Sequence, residues 1–194
     1  MNLEQAKIVA KKRIDEVLNI EPDITETLKI ISEKQNSSMF GLEYRVKSKD
    51  SLARKIVSDA KEKEISFYEA SKQISDVLRY TVLNNENTFT DKYFSFVDEL
   101  EKNGYIIIRV KNTFKDNVVY KGINTLVKKG DDVFELQFHT PKSIELKEGS
   151  LHKIYEKQRI LDKVKDKEEY NRLKLEMVDL SNTIPIPKNV ERIR

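Results

Sequence analysis

Residues 119–140 read VYKGINTLVKKGDDVFELQFHT. The polar triplet Lys129-Gly130-Asp131 separates two runs rich in β-branched and aromatic side chains. That predicts strands over 119–128 and 132–139 joined as a hairpin. Alternation along the second strand places Glu135, flanked by Phe134 and Leu136, on the face of Val133, Gln137 and His139. A carboxylate thus stands in mid-strand on a polar face. Such a face is either a water-covered sheet surface or one wall of a site.

Residues 77–83 (VLRYTVL) and Tyr105–Val110 share this strand character. Between them, Phe94, Val97 and Leu100 recur at helical spacing over 91–103, and Asn103-Gly104 stops the helix. Nearer the start, Leu3, Ala6, Ala10, Ile14 and Val17 predict a first amphipathic helix that Pro22 ends. Asp23 or Thr25 is the expected cap of the next, whose apolar stripe is Ile24, Leu28 and Ile31. Asn36-Ser-Ser reads as a loop. Ser51 is the expected cap of a helix over 51–61, followed by another over about 66–75. Residues 150–160 and 166–179 are helical, and Thr183-Ile-Pro-Ile-Pro is extended. The fold class is α+β: a mainly antiparallel, mixed sheet of about four to five strands flanked by helices. The expected organisation is an N-terminal helical segment over 1–38, a core over 39–165, and a C-terminal helix with an extended tail over 166–194.

Composition narrows the chemistry. The 194 residues carry 36 Lys+Arg against 33 Asp+Glu and are 38% hydrophobic, enough for a core. There is no cysteine, which removes disulfides, thiolate nucleophiles and cysteine-held zinc. Only His139 and His152 are histidines, so a multi-histidine metal site is not encoded. The glycines, at 41, 104, 122, 130 and 149, fit neither GxxxxGK[ST] nor GxGxxG. A bound nucleotide must therefore have its phosphates held by cationic side chains. No apolar run reaches the roughly 18 residues of a membrane span, so no membrane partner is expected.

Arg45 and Lys47 lie two apart, pointing the same way in an extended segment. Ser51 and Lys55 lie four apart, sharing a helix face. A strand-to-helix transition would aim these cations and the hydroxyl at one point, as a triphosphate requires. The plainer reading is a solvated basic surface. Asp76, at the start of the first strand, and Glu135 would hold Mg2+ between them, an ion that takes one or two carboxylates and completes its shell with phosphate oxygens. Tyr120 in Tyr-Lys-Gly-Ile-Asn124 offers a stacking face for a nucleobase, and Asn124 an edge reader. Of the two histidines, His139 is the one expected to face phosphate.

Together these pieces resemble the RelA/SpoT nucleotide pyrophosphokinase (alarmone synthetase) family. The family's Arg-x-Lys-x-x-x-Ser-x-x-x-Lys spacing appears as Arg45, Lys47, Ser51 and Lys55. Its metal aspartate matches Asp76 in Ile-Ser-Asp-Val-Leu-Arg-Tyr-Thr. Its Tyr-x-Ser-(Ile/Leu)-His motif looks like Tyr120–Asn124, and its Glu-Val-Gln-Ile-Arg-Thr strand like Glu135-Leu-Gln-Phe-His-Thr140. The resemblance spans roughly residues 40–160. It implies a nucleotidyltransferase-like synthetase fold and transfer of the β,γ-pyrophosphate of ATP to the 3′-hydroxyl of a purine nucleotide, with Mg2+ as cofactor. By position, Arg45, Lys47, Ser51, Lys55 and Arg79 would bind ATP. Asp76 and Glu135 would be catalytic and hold the metal, and Tyr120, Asn124, Gln137 and His139 would bind the acceptor. Three departures stand out: Arg79-Tyr-Thr replaces the family's Gly-Ile-Arg, Asn124 a histidine, and His139 an arginine. The wording around Gly41–Ser48, Phe138–Pro141 and His152–Glu156 is similar to the toxin-type branch found in phage and effector proteins. That branch implies a cytoplasmic site of action and an antitoxin or immunity protein as partner. Two alternatives use the same fold. One is pyrophosphorylation of the tRNA 3′ end, with Lys153, Lys157, Arg159, Lys163, Lys165 and Lys167 as a basic track. The other is an inactive nucleotide-binding module.

Overall fold

The computed structural model describes residues 2–194, so Met1 of the expected 1–38 segment lies outside the described residues. Helix α1 (Leu3–Leu18) starts on a capping box made by Asn2 and Gln5 and buries Ala6, Ala10 and Val17. Helix α2 (Glu21–Lys34) carries Pro22 in its first turn. Pro22 therefore opens this helix instead of ending α1, because a first-turn N–H has no partner to lose. Asp23 and Thr25 lie inside α2, and neither caps it.

Strand β1 (Ser38–Phe40) is followed by a 3-10 turn over Leu42–Tyr44 and helix α3 (Lys49–Lys63). Ser48 caps α3 in place of the expected Ser51, its hydroxyl accepting from the Ser51 N–H. Ser66 and Glu69 box the start of helix α4 (Phe67–Gln73). A 3-10 turn over Ser75–Val77 leads into β2 (Arg79–Leu83), and helix α5 (Phe89–Lys102) connects it to β3 (Ile106–Asn112). The hairpin is β4 (Ile123–Lys129) and β5 (Asp132–His139), with Gly130 at φ +58° in its turn. Helices α6 (Pro141–Leu146), α7 (His152–Gln158) and α8 (Lys167–Asn182) complete the chain with a 3-10 turn over Val190–Arg192.

The sheet order is β1-β2-β5-β4-β3. Strands β2 and β5 are parallel and the other pairs antiparallel, so the sheet is mixed as expected. One face carries Tyr80, Val82, Phe134, Leu136 and Phe138, all buried. Edge-on aromatic contacts of Phe138 with Tyr93 and Phe96 of α5 lock that face to the helical layer. Pairing Arg79 with Glu135, Thr81 with Gln137 and Asn124 with Gln137 puts the polar residues together on the opposite face. A separate small apolar cluster, Leu151, Ile154, Leu173 and Met177, joins α7 to α8. No helix of the described residues is long and apolar enough to cross a membrane.

Candidate active site

The polar face of β5 forms a connected row. The Gln137 amide donates to Glu135 Oε1 at 2.5 Å, and Lys147 Nζ donates to Gln137 Oε1 at 3.2 Å. Lys147 also pairs with Glu148 at 3.1 Å. Lys147 opens a π-helical turn, Lys147–Leu151, between α6 and α7, and Gly149 breaks the helical dihedrals within it (φ −97°, ψ −106°). Such turns interrupt the regular spacing of side chains along a helix. Burial pushes the Lys147 pKa down, and Glu148 acts against that push.

Two cavities flank this row. The first, about 520 Å3, is lined by Val119, Tyr120, Leu151, His152, Tyr155 and Met177. The second, about 460 Å3, is lined by Phe40, Gly41, Tyr44 and Thr81. Arg79, Lys147 and Glu148 belong to both and form the wall between them. The Arg79 side chain has no hydrogen bond or ion pair among the described residues, so a half-buried guanidinium remains available to an anion.

Tyr120 sits just ahead of β4, outside the strand predicted for it. Its hydroxyl donates to Asn124 Oδ1 at 2.5 Å and lies 2.9 Å from His139 Nε2. The other ring nitrogen of His139 lies 2.9 Å from Ser143 Oγ. Asn124 and His139, two positions where the chain departs from the pattern it resembles, thus meet through one phenol. With its hydroxyl consumed, Tyr120 offers a ligand only its ring. His139 is 0% exposed. Burial, reinforced by Lys147 and Arg79, pushes its pKa down to about 3, so the ring is neutral. This corrects the expected phosphate-facing role: both nitrogens are engaged inside the protein, and His152 is the histidine that lines a cavity.

The cationic group near the start is positioned by backbone pairing. Val46 bridges Leu78, the Arg79 N–H donates to the Arg45 carbonyl, and the Glu135 N–H donates to the Leu78 carbonyl. Segments 45–47, 77–79 and 135 are therefore neighbours in space. The side chains do not converge as expected. Arg45 is bound to Glu21 of α2, inside a network with Thr25 and Tyr80. Lys47 contacts Asp76 at 2.7 Å, Lys55 contacts Asp59 at 3.6 Å, and the Ser51 hydroxyl accepts from Arg54 at 3.1 Å. Each of these cations already faces a carboxylate, because a lone charge at a half-buried position is costly.

The donor set suits a hard divalent ion. One oxygen of Asp76 is held by Lys47 and one of Glu135 by Gln137, while the second oxygen of each has no hydrogen bond among the described residues. Among those residues no group of three or more His, Cys, Asp or Glu side chains gathers. A pair of carboxylate oxygens fits an ion whose remaining ligands come from phosphate and water.

Lys147, Glu148, Tyr44, Tyr155 and Met177 escaped the sequence reading. The one local signal was Gly149 within an otherwise helical stretch. Nothing in the sequence says that Lys147, two residues before that break, reaches across to Gln137 on the sheet.

No family model and no curated protein matches the chain. Solved structures do. The small alarmone synthetase 1 of Bacillus subtilis, bound to its product pppGpp, aligns with a TM-score of 0.52 at 13% identity over 97% of this chain and 90% of that one. A GTP pyrophosphokinase family protein from Streptococcus pneumoniae gives 0.56 at 18%, covering 94% and 90%. Small alarmone synthetase 2 of B. subtilis gives 0.56 at 15%, covering 90% and 98%. At such identities the likeness establishes architecture, and the fold of this chain is that of the small alarmone synthetases.

Proposed function

We propose that the protein transfers the β,γ-pyrophosphoryl group of ATP to the 3′-hydroxyl of a purine nucleotide, yielding a (p)ppGpp- or (p)ppApp-type alarmone and AMP. The observation that carries this reading is the shared wall. Two nucleotide-sized cavities, each with an aromatic side chain, meet at Arg79, paired in register with Glu135, and at Lys147, which donates to Gln137. A two-substrate phosphoryl transfer needs two binding sites and cations between them.

The cavity of Tyr120 would take the acceptor, its base lying against the ring of this half-buried residue, with Gln137 on the ribose side. The cavity of Tyr44 and Thr81 would take ATP. Lys47, Ser51 and Lys55 would exchange their present partners for phosphate oxygens, and Arg79 would meet the phosphates from the wall. Asp76 and Glu135 would hold Mg2+, which when bound neutralises triphosphate charge. In the reaction the acceptor 3′-oxygen bonds to the β-phosphorus. The bond from that phosphorus to the α,β-bridging oxygen breaks, and AMP leaves with the electron pair. The hydroxyl proton passes to the Glu135 carboxylate.

The test is AMP release from labelled ATP with Mg2+ and each of GDP, GTP, ADP, AMP or deacylated tRNA. Glu135→Gln and Asp76→Asn are expected to lower the rate at least about 100-fold. If the wild-type protein releases no AMP with any acceptor, the reading fails; activity confined to tRNA would move it to the tRNA 3′ end. We further propose a growth-inhibiting role, with an antitoxin or immunity protein as partner. Expression in bacteria should then arrest growth, and Glu135→Gln should relieve the arrest.

A further inference from the structure

We infer that Lys147 is a catalytic residue of the proposed transfer: its ammonium holds the pyrophosphoryl group as that group moves from one nucleotide to the other. The inference rests on the pyrophosphokinase reading, and it adds a residue that motif spacing does not reach.

Lys147 and Arg79 are the two cations common to both cavities. Arg79 is carried by a strand, whereas Lys147 stands at the end of α6 in regular helical geometry (φ −58°, ψ −49°), just before the chain breaks direction at Gly149. Its side chain reaches the sheet face and donates to Gln137, which in turn donates to Glu135. A three-residue line therefore joins the ammonium to the carboxylate proposed to receive the acceptor proton. Lys147 is in this way registered against the reacting hydroxyl as well as against the donor phosphates.

The charge balance around Lys147 is incomplete. Among the described residues its only ionic partner is Glu148, whose side chain is 53% exposed and so largely screened by water. Arg79 adds a second positive charge nearby, and burial removes hydration from the ammonium. A half-buried, under-neutralised cation gains most from a polyanion that brings several negative oxygens at once. Glu148, free to swing into solvent, is the natural placeholder for that polyanion. Lys147 forms and breaks no covalent bond in the step. It keeps its three protons and donates them to non-bridging oxygens of the group in transit, while the new bond from the acceptor oxygen forms and the bond to the departing AMP breaks.

Two measurements test this on the full chain. In steady-state AMP release, Lys147→Met is expected to lower kcat about 100- to 1,000-fold while moving KM for either nucleotide by less than about threefold, and Lys147→Arg is expected to restore part of kcat. Lys147→Gln, which keeps a donor toward Gln137, serves if the methionine variant does not fold. Separately, calorimetric titration with inorganic pyrophosphate should show binding to the wild type, at least about tenfold weaker binding to Lys147→Met, and tighter binding to Glu148→Gln. A kcat within threefold of wild type in the methionine or glutamine variant overturns the assignment. So does equal pyrophosphate affinity with and without the lysine. If the wild type makes no AMP with any acceptor, the pyrophosphokinase reading fails on its own. The titration then still decides whether Lys147 is a pyrophosphate-binding cation.

Discussion

Gly122 allows the Tyr120 phenol and the His139 imidazole to meet. A Cβ there would lie 2.7 Å from His139 Cε1 and 3.0 Å from the Tyr120 hydroxyl, and His139 cannot retreat because it is wholly buried. Gly122→Ala should cost about 1–3 kcal/mol in chemical denaturation. It should also raise KM for the acceptor more than KM for ATP, since the ring it displaces faces the first cavity. His139 has an acid signature of its own. Its pKa falls from 6.5 to about 3 on folding, so below 6.5 the unfolded chain binds the extra proton. The stability of the neutral buried ring is complete above pH 6.5 and is lost as pH falls toward 3, by at most about 1.4 kcal/mol per pH unit. Denaturation midpoints taken between pH 7 and 5 should decline in the wild type, and this component should vanish in His139→Gln. Tyr120, Glu135 and Gln137 were legible as candidates because their residue types and alternation are local properties. The inward turn of His139 was not, since the partners that make it favourable, Tyr120 and Ser143, belong to other segments.

Helix α2 shows the same division at the next level. Its amphipathic stripe is visible in sequence, and Ile24, Leu28 and Ile31 are buried as the spacing requires. Its anchoring to the site is not visible. Glu21, in the first turn, is 8% exposed and accepts from Arg45, from Thr25 and through that hydroxyl from Tyr80. Hydrogen bonding from Arg45 holds the Glu21 carboxyl below its ordinary pKa of 4.5, against the push of burial. The pair thus contributes fully above pH 4.5, and the contribution is lost as pH falls through the lower folded pKa. Glu21→Gln should lower stability at pH 7 by about 1–3 kcal/mol, because Arg45 is left short of a partner at a partly exposed position. It should also flatten the acid limb of the stability curve below pH 4.5. An unchanged limb would mean that other carboxylates set it.

Across the whole molecule, the sheet has one dry face and one working face. The dry face is packed by helices from the first half of the chain, including Phe96 and Leu28 in the main core. The working face is bordered by the small cluster of α7 and α8, through which Leu151 and Met177 reach the first cavity. That cluster is too small to share the cooperativity of the main core. Leu173→Ala, at 3% exposure, should loosen α8 by about 2–4 kcal/mol, seen as faster amide exchange over 167–182 with β5 still protected. Weaker acceptor binding should accompany it. The sequence alone established every strand but β1, every helix but α6, the polar alternation of β5 and the order of the charged motifs, because each rests on side-chain periodicity between near neighbours, which three-residue β1 and six-residue α6 are too short to show. Only the tertiary structure decided that β5 inserts parallel to β2, that Arg45 belongs to Glu21, and that Lys147 lies over Gln137. Those outcomes depend on which distant segment supplies the missing hydrogen bond or counter-charge, and no local pattern encodes that choice.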